Sequence, residues 1–179
     1  MPINSEILSK YKNDVFVETG THIGRGIDAA LKAGFKEIHS VELSAKHYIF
    51  CMKKYKDNKN VFLYHGDSGK LLSVILGKVK RRNKTVWLDS HFSGGDTACG
   101  EKYSPLMEEL SVIKYFYGKR DVILIDDIRD YKVKSEHYDF DLEDIKDKLL
   151  EINADFTFSY EDSYQGDTFM FPKDILVAK

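Results

Sequence analysis

Several things are scarce in this chain of 179 residues, and each scarcity closes off a class of protein. Proline occurs only three times, against 42% apolar and 13% aromatic residues, which argues for a compact fold and against extended disorder. The two cysteines, Cys51 and Cys99, lie far apart without a C-x-x-C spacing, so neither a zinc site nor a disulfide framework is indicated, and a reducing, cytoplasmic setting is expected. Nowhere do about eighteen apolar residues follow one another, and the opening "MPINSEILSKYKND" lacks the apolar run of a signal peptide. No membrane association is therefore expected. Charge of one sign is also missing: 27 basic residues against 29 acidic ones leave a net charge of -2, which gives no general electrostatic reason to bind nucleic acid. The densest basic run, "KVKRRNK" from Lys78 to Lys84, reads as a solvated loop. No internal repeat or low-complexity segment appears, and the length suits one domain, 1–179.

What is present is an alternation. "DVFVE" ending at Glu18 reads as a strand, about 24–33 as a helix, and "EIHSVE" ending at Glu42 as a second strand. Ser44 is placed to cap the next helix, which runs to about Tyr55. "NVFLYH" is a third strand, "SGKLLSVIL" a helix, and "TVWLD" a fourth strand ending at Asp89. After a long polar loop, Ser104 as cap and Pro105 at the first helical position start a helix that Gly118 ends, before "DVILID" forms a fifth strand. Asp141 caps a further helix reaching about Glu151. The tail changes rhythm: alternating aromatics broken by Gly166 and Pro172 predict two antiparallel strands with no helix between them. Five parallel strands closed by a hairpin, with helices on both faces, make a doubly wound α/β fold, whose ligands sit at the carboxyl ends of the strands.

Those ends are Glu18, Glu42, Asp67 just past the third strand, Asp89, and the pair Asp126 and Asp127, all of them acidic. Any one could merely cap the following helix. In "VFVETGTHIGRGIDAAL" the glycines Gly20, Gly24 and Gly26 allow a tight turn and close approach of a ligand, while Glu18 would repel a phosphate. The turn lacks G-x-G-x-x-G, with His22 at the second glycine position, which disfavours a nicotinamide-dependent oxidoreductase.

"VETGTHIGRG", with Glu42 ending the next strand and "HGDS" after the third, resembles the class I S-adenosylmethionine-dependent methyltransferases. The resemblance implies a Rossmann-like methyltransferase fold with a mainly parallel seven-stranded sheet. It implies that the turn carrying Glu18, Thr19, Gly20, Thr21 and Gly24 holds the methionine end of S-adenosylmethionine. Glu42, with Leu43 beside it, would bind the ribose, and Asp67 with Ser68 would meet the adenine. Physical chemistry agrees, since a carboxylate accepts both ribose hydroxyls and an acid stabilises the ammonium and sulfonium charges. His22 departs from the commonest pattern of that turn.

"WLDSHFSGGDTACGEKYSP" and "LIDDIRDY" carry the more specific signal. Neighbouring strands lie about 4.8 Å apart, so Asp89 and Asp126 end side by side. Carboxylates converging without a basic partner raise one another's pKa unless a cation neutralises them, and oxygen ligands point to magnesium, with calcium or manganese behind it. The pattern looks like metal-dependent sugar O-methyltransferases, which implies a metal held by Asp89, Asp126 and Asp127 that binds two vicinal hydroxyls of a sugar or glycan and lowers the pKa of one. His91, two residues past Asp89, is expected to act as the general base; a metal ligand or a loop histidine are its other readings. The loops 91–103 and 128–140 are the expected substrate walls. With only about fourteen residues before the first strand, the cleft is expected to be open. A catechol-like acceptor, a non-catalytic cofactor-binding module and nucleic-acid methylation are the remaining alternatives, the last weakened by the balanced charge.

Overall fold

The computed structural model describes residues 3–95, 97–165 and 169–179. The order of elements is α1 (Ser5–Lys10), β1 (Val15–Thr19), α2 (Arg25–Lys32), β2 (Ile38–Glu42), α3 (Ala45–Lys54), β3 (Val61–His65), α4 (Ser68–Val79), β4 (Lys84–Leu88), α5 (Leu106–Phe116), β5 (Val122–Ile125), a 3-10 turn at Ile128–Tyr131, α6 (Leu142–Ile152), β6 (Phe158–Gln165) and β7 (Phe169–Ala178). One seven-stranded sheet runs in the order β3-β2-β1-β4-β5-β7-β6. Strands β1 to β5 pair in parallel, and β7 is antiparallel to both β5 and β6. The doubly wound fold with a closing hairpin is thus observed. Gly166 lies outside the described residues, whereas Pro172 falls within β7, next to a register shift in the hairpin between Glu161 and Ser163.

The sheet is apolar on both faces because β1, β2 and β4 are buried at every position. Val15, Val17, Val86, Leu88, Ile123 and Ile125 pack against α4, α5 and α6 through Leu72, Ile75, Leu110, Ile145 and Leu149. The alternate residues Phe16, Ile38, Trp87 and Leu124 face α1, α2 and α3 through Leu8, Ile27, Ala30 and Cys51. This two-sided burial is what the near-continuous apolar strands require.

Caps follow the sequence with one shift. Ser44 accepts from the His47 amide at the start of α3, and Asp141 and Asp144 form a reciprocal capping box on α6. Helix α5 starts one residue late: Pro105 occupies the cap position, and Ser104 Oγ accepts from the Leu106 amide at 3.3 Å. Helix α1, capped by Asn4, was not expected; it is too short for an apolar period to show.

The basic run also departs from expectation at one residue. Lys84 is 1% exposed, and its Nζ lies 2.7 Å from Asp121 Oδ2, inside the amino edge of the sheet. Asp121 further accepts from the amides of Lys84 and Gly118, each at 2.8 Å. The charge is paired and hydrogen-bonded rather than solvated. Among the described residues no helix is long and apolar enough to cross a membrane.

Candidate active site

A cavity of about 770 Å³ opens at the carboxyl edge of the parallel strands. Its volume falls in the range of small-molecule sites. At one end it is lined by Gly20, His22, Glu42, Leu43, Asp67 and Ser68, and at the other by Asp89, His91, Asp126, Asp127 and Arg129.

The β1–α2 turn explains its own glycines. Gly20 has φ +86°, and a Cβ built on it overlaps the Asp89 carbonyl oxygen, so the turn lies directly on the end of β4. A Cβ on Gly26 overlaps Glu18 Oε1. Glu18 is 1% exposed, accepts from Ser40 Oγ at 2.6 Å, and does not line the cavity. The acid therefore tucks beneath α2, and Gly26 makes room for it. Gly24, at the cap of α2, takes the Tyr55 hydroxyl on its carbonyl at 2.5 Å. Thr19 and Thr21 are fully buried and Gly24 also lies off the cavity, so of the expected turn residues Gly20 alone reaches its wall.

Burial pushes the Glu18 carboxyl well above the usual range, Ser40 opposing and Asp89 and Glu42 adding to the rise. Asp126 shifts the same way for the same first reason, with Asp89 and Asp127 adding. An acid whose folded pKa is raised binds its proton more tightly in the native state. Its contribution to stability is complete below the ordinary carboxylate pKa and is lost as pH rises through the folded value. The thermal midpoint is therefore expected to fall as pH rises above the ordinary carboxylate range, with a shallower slope in Glu18→Gln. A flat wild-type profile would contradict it.

Glu42 and Asp67 are held by backbone amides. Glu42 Oε2 accepts from His22 N and Oε1 from Ser44 N, both at 2.7 Å, and Asp67 Oδ1 caps α4 through Gly69 N at 2.9 Å. Each carboxylate oxygen has a second lone pair, so both acids keep acceptor capacity toward the cavity they line.

At the other end β4 and β5 pair in register through Leu88 and Ile125, and the Asp126 amide donates to the Leu88 carbonyl at 3.1 Å. Asp89 and Asp126 thus follow adjacent strand ends, as the sequence required. Asp127 has φ +52°, a left-handed conformation that aspartate tolerates better than most side chains. The expected absence of a basic partner is corrected here. His91 Nε2 lies 3.0 Å from Asp127 Oδ2, Arg129 Nη1 lies 2.5 Å from Asp127 Oδ1, and Arg129 also pairs with Asp174. Arg129 comes from the 3-10 turn after β5 and Asp174 from β7, so only the closed hairpin assembles the group. Asp174, 2% exposed, is further tied to Ser163 Oγ at 2.8 Å. The one cue to it in the sequence is an acid interrupting the apolar stretch of β7.

Burial pushes the Asp89 carboxyl up to about 7, although His91 pulls it back. Burial alone would lower the His91 pKa; the Asp127 hydrogen bond and the charges of Asp89 and Asp127 outweigh it and raise it. Asp127 is held below its ordinary value, since His91 and Arg129 outweigh the burial that would raise it. Two overlapping groups of possible metal ligands result: Asp89, His91 and Asp127, and Asp126, Asp127 and Asp174. Asp126 Oδ2 is buried without a hydrogen-bond partner.

No family model and no curated protein matches the chain. Solved structures do. An O-methyltransferase from Bacillus cereus in complex with S-adenosylhomocysteine superposes with a TM-score of 0.63 at 12% identity, over 97% of this chain and 77% of that one. A protein provisionally assigned as a caffeoyl-CoA O-methyltransferase from Staphylococcus aureus gives 0.63 at 10% identity, over 97% and 79%. A protein provisionally assigned as an rRNA methylase from Clostridium thermocellum gives 0.61 at 13% identity, over 98% and 94%. The fold is that of the class I methyltransferases. At these identities the likeness is one of fold, and this methyltransferase fold sets the cavity at the strand ends where the acids converge.

The β4–α5 loop adds what the open-cleft expectation left out. Phe92, Thr97, Gly100, Glu101, Lys102 and Tyr103 line the cavity, and a Cβ on Gly100 would stand 3.6 Å from Leu43 and 3.7 Å from Asp67 Oδ2. The loop of this methyltransferase fold crosses from the acid cluster to the β2 and β3 ends. Lys70–Glu101, at 2.8 Å, and Lys102–Glu108 pair it to α4 and α5.

Proposed function

We propose that the protein is an S-adenosylmethionine-dependent O-methyltransferase that acts on a hydroxyl of a sugar or glycan with the help of a divalent ion. One observation carries this reading: a single cavity joins Gly20, Glu42, Leu43, Asp67 and Ser68 at one end to Asp89, His91, Asp126 and Asp127 at the other. When bound, the cofactor supplies the sulfonium methyl group, and the ion supplies a positive charge that lowers the pKa of an acceptor hydroxyl.

The residues fit such an ion. Asp126 Oδ2 is a buried, unpartnered oxygen, and Asp89 beside it is pushed up to about 7, chiefly by burial with the Asp127 charge adding, which a bound cation would relieve. Asp127 is common to both groups of possible ligands, so it would hold the ion with either Asp89 or Asp126, and magnesium is the best match to the carboxylate oxygens.

The chain's own residues do the rest. Glu42, fixed by two amides, accepts the ribose hydroxyls, and Asp67 with Ser68 meets the adenine. The buried Glu18, Thr19, Thr21 and Gly24 shape the turn from behind and leave Gly20 to face the methionine end. Phe92, Tyr103, Tyr164 and Phe171 give the acceptor end apolar faces among the acids, which suits a ring bearing hydroxyls.

A second reading concerns the proton. His91 has Nε2 on Asp127 and Nδ1 3.7 Å from Asp89, and its charged form is favoured, so it has little capacity to accept. Asp89 has a proton affinity near neutrality and is the better acceptor in a reaction without metal, with His91 and Arg129 then supplying the cationic partners of Asp127. A ligand to the ion and a free base are exclusive roles for Asp89, and chelation separates them.

Calorimetric titration with S-adenosylhomocysteine and with NAD, each with and without magnesium, tests the cofactor. Binding of S-adenosylhomocysteine is expected; binding of NAD alone would overturn the reading. Turnover of sugars and of catechols is then measured with and without chelator. Loss of turnover in chelator supports the ion, and unchanged turnover supports Asp89 as base.

A further inference from the structure

Glu109 is a buried acid that the reaction above does not use. It sits in the first turn of α5, where the helix dipole favours an acid, beside Glu108, which pairs with Lys102. Glu109 is 1% exposed. A buried carboxyl costs more than an apolar side chain unless several donors meet it.

One donor bonds it directly, and hydroxyls from two further segments stand nearby. Ser90 Oγ, one residue past Asp89, donates to Glu109 Oε1 at 2.8 Å. The Ser68 hydroxyl at the start of α4 and the Thr19 hydroxyl at the end of β1 stand close enough to the same carboxyl to favour its charged form, while Thr19 Oγ1 is buried without a hydrogen-bond partner. Ser68 and Ser90 both line the cavity, Ser68 beside Asp67 and Ser90 between Asp89 and His91.

We infer that Glu109 is a positioning residue, which fixes the loop that carries Asp89 and His91 against the cradle for the adenine by holding Ser90 from beneath, next to Ser68. The inference rests on the methyltransferase reading for the identity of what the cradle holds. It predicts that Glu109 acts on cofactor affinity through Ser90, without touching the cofactor.

The test is titration of S-adenosylhomocysteine into wild type, Glu109→Ala, Glu109→Gln, Ser90→Ala and the double variant Glu109→Ala/Ser90→Ala, with KM for the cofactor and kcat measured alongside. Glu109→Ala is expected to weaken binding about ten-fold and to raise KM for the cofactor more than it lowers kcat. Glu109→Gln, whose amide oxygen still accepts from Ser90, should stay within about three-fold of wild type. Because the two residues act as one unit, the double variant should bind no more weakly than Glu109→Ala. Wild-type affinity in Glu109→Ala, or losses that add in the double variant, would overturn the role. If Glu109→Ala does not fold, Ser90→Ala decides: a loss of a few-fold supports the role and wild-type affinity overturns it. A wild-type chain that binds no S-adenosylhomocysteine would instead sink the methyltransferase reading itself.

Discussion

Asp127→Asn is expected to lower kcat by about a hundred-fold or more while leaving the melting temperature within a few degrees of wild type. Asparagine is the informative replacement because position 127 has φ +52°, which asparagine also tolerates; alanine would add backbone strain to the loss of charge. The substitution removes a negative charge that His91 and Arg129 both contact, whereas Arg129 keeps Asp174 and stays in place. With that charge gone the His91 imidazolium loses its strongest support, so its pKa should fall toward the ordinary value, visible as a shift in its proton resonance. Activity within three-fold of wild type, under either metal condition, would remove Asp127 from the chemistry.

Asp121→Ala should be the most damaging single change to stability, at about 3–5 kcal/mol. It strands the Lys84 ammonium, 1% exposed, and frees the amides of Lys84 and Gly118 that the carboxylate now satisfies. For a chain of this size the midpoint should drop by about 10 °C. Changing both partners together, Lys84→Met with Asp121→Leu, should recover part of the loss, because two apolar groups leave no unpaired charge. A thermal melt of the three proteins checks this; an Asp121→Ala midpoint within 2 °C of wild type would contradict it.

The sheet was legible in the sequence because its signal is local. "VFVE", "IHSVE", "TVWL" and "VILI" are short apolar runs with an acid or polar loop after them, and all became parallel strands whose ends face one cavity. Asp89, Asp126 and Asp127 could be gathered on paper for the same reason: strand adjacency follows from the fold class. What stayed hidden depends on where side chains turn after the backbone is fixed. Glu18 reads like a ligand-facing acid and yet points under α2, a choice made by Ser40 on the adjacent strand and by the space left at Gly26. Lys84 reads as solvated because its partner lies 37 residues away. Arg129, in plain view within "DDIRDY", becomes the counter-charge of the cluster only once Asp174 arrives from β7.

The two ends of the cavity have different ages in the life of the chain. The residues assigned to the cofactor, from Gly20 to Ser68, lie on the first three strands and the turns after them, and are made before the rest of the chain. The acceptor end waits for Ser163, Tyr164, Phe171 and Asp174 on the hairpin. Until β7 docks, β5 presents a bare edge, so the last joint of the sheet to close is also the one that completes the place where chemistry would happen.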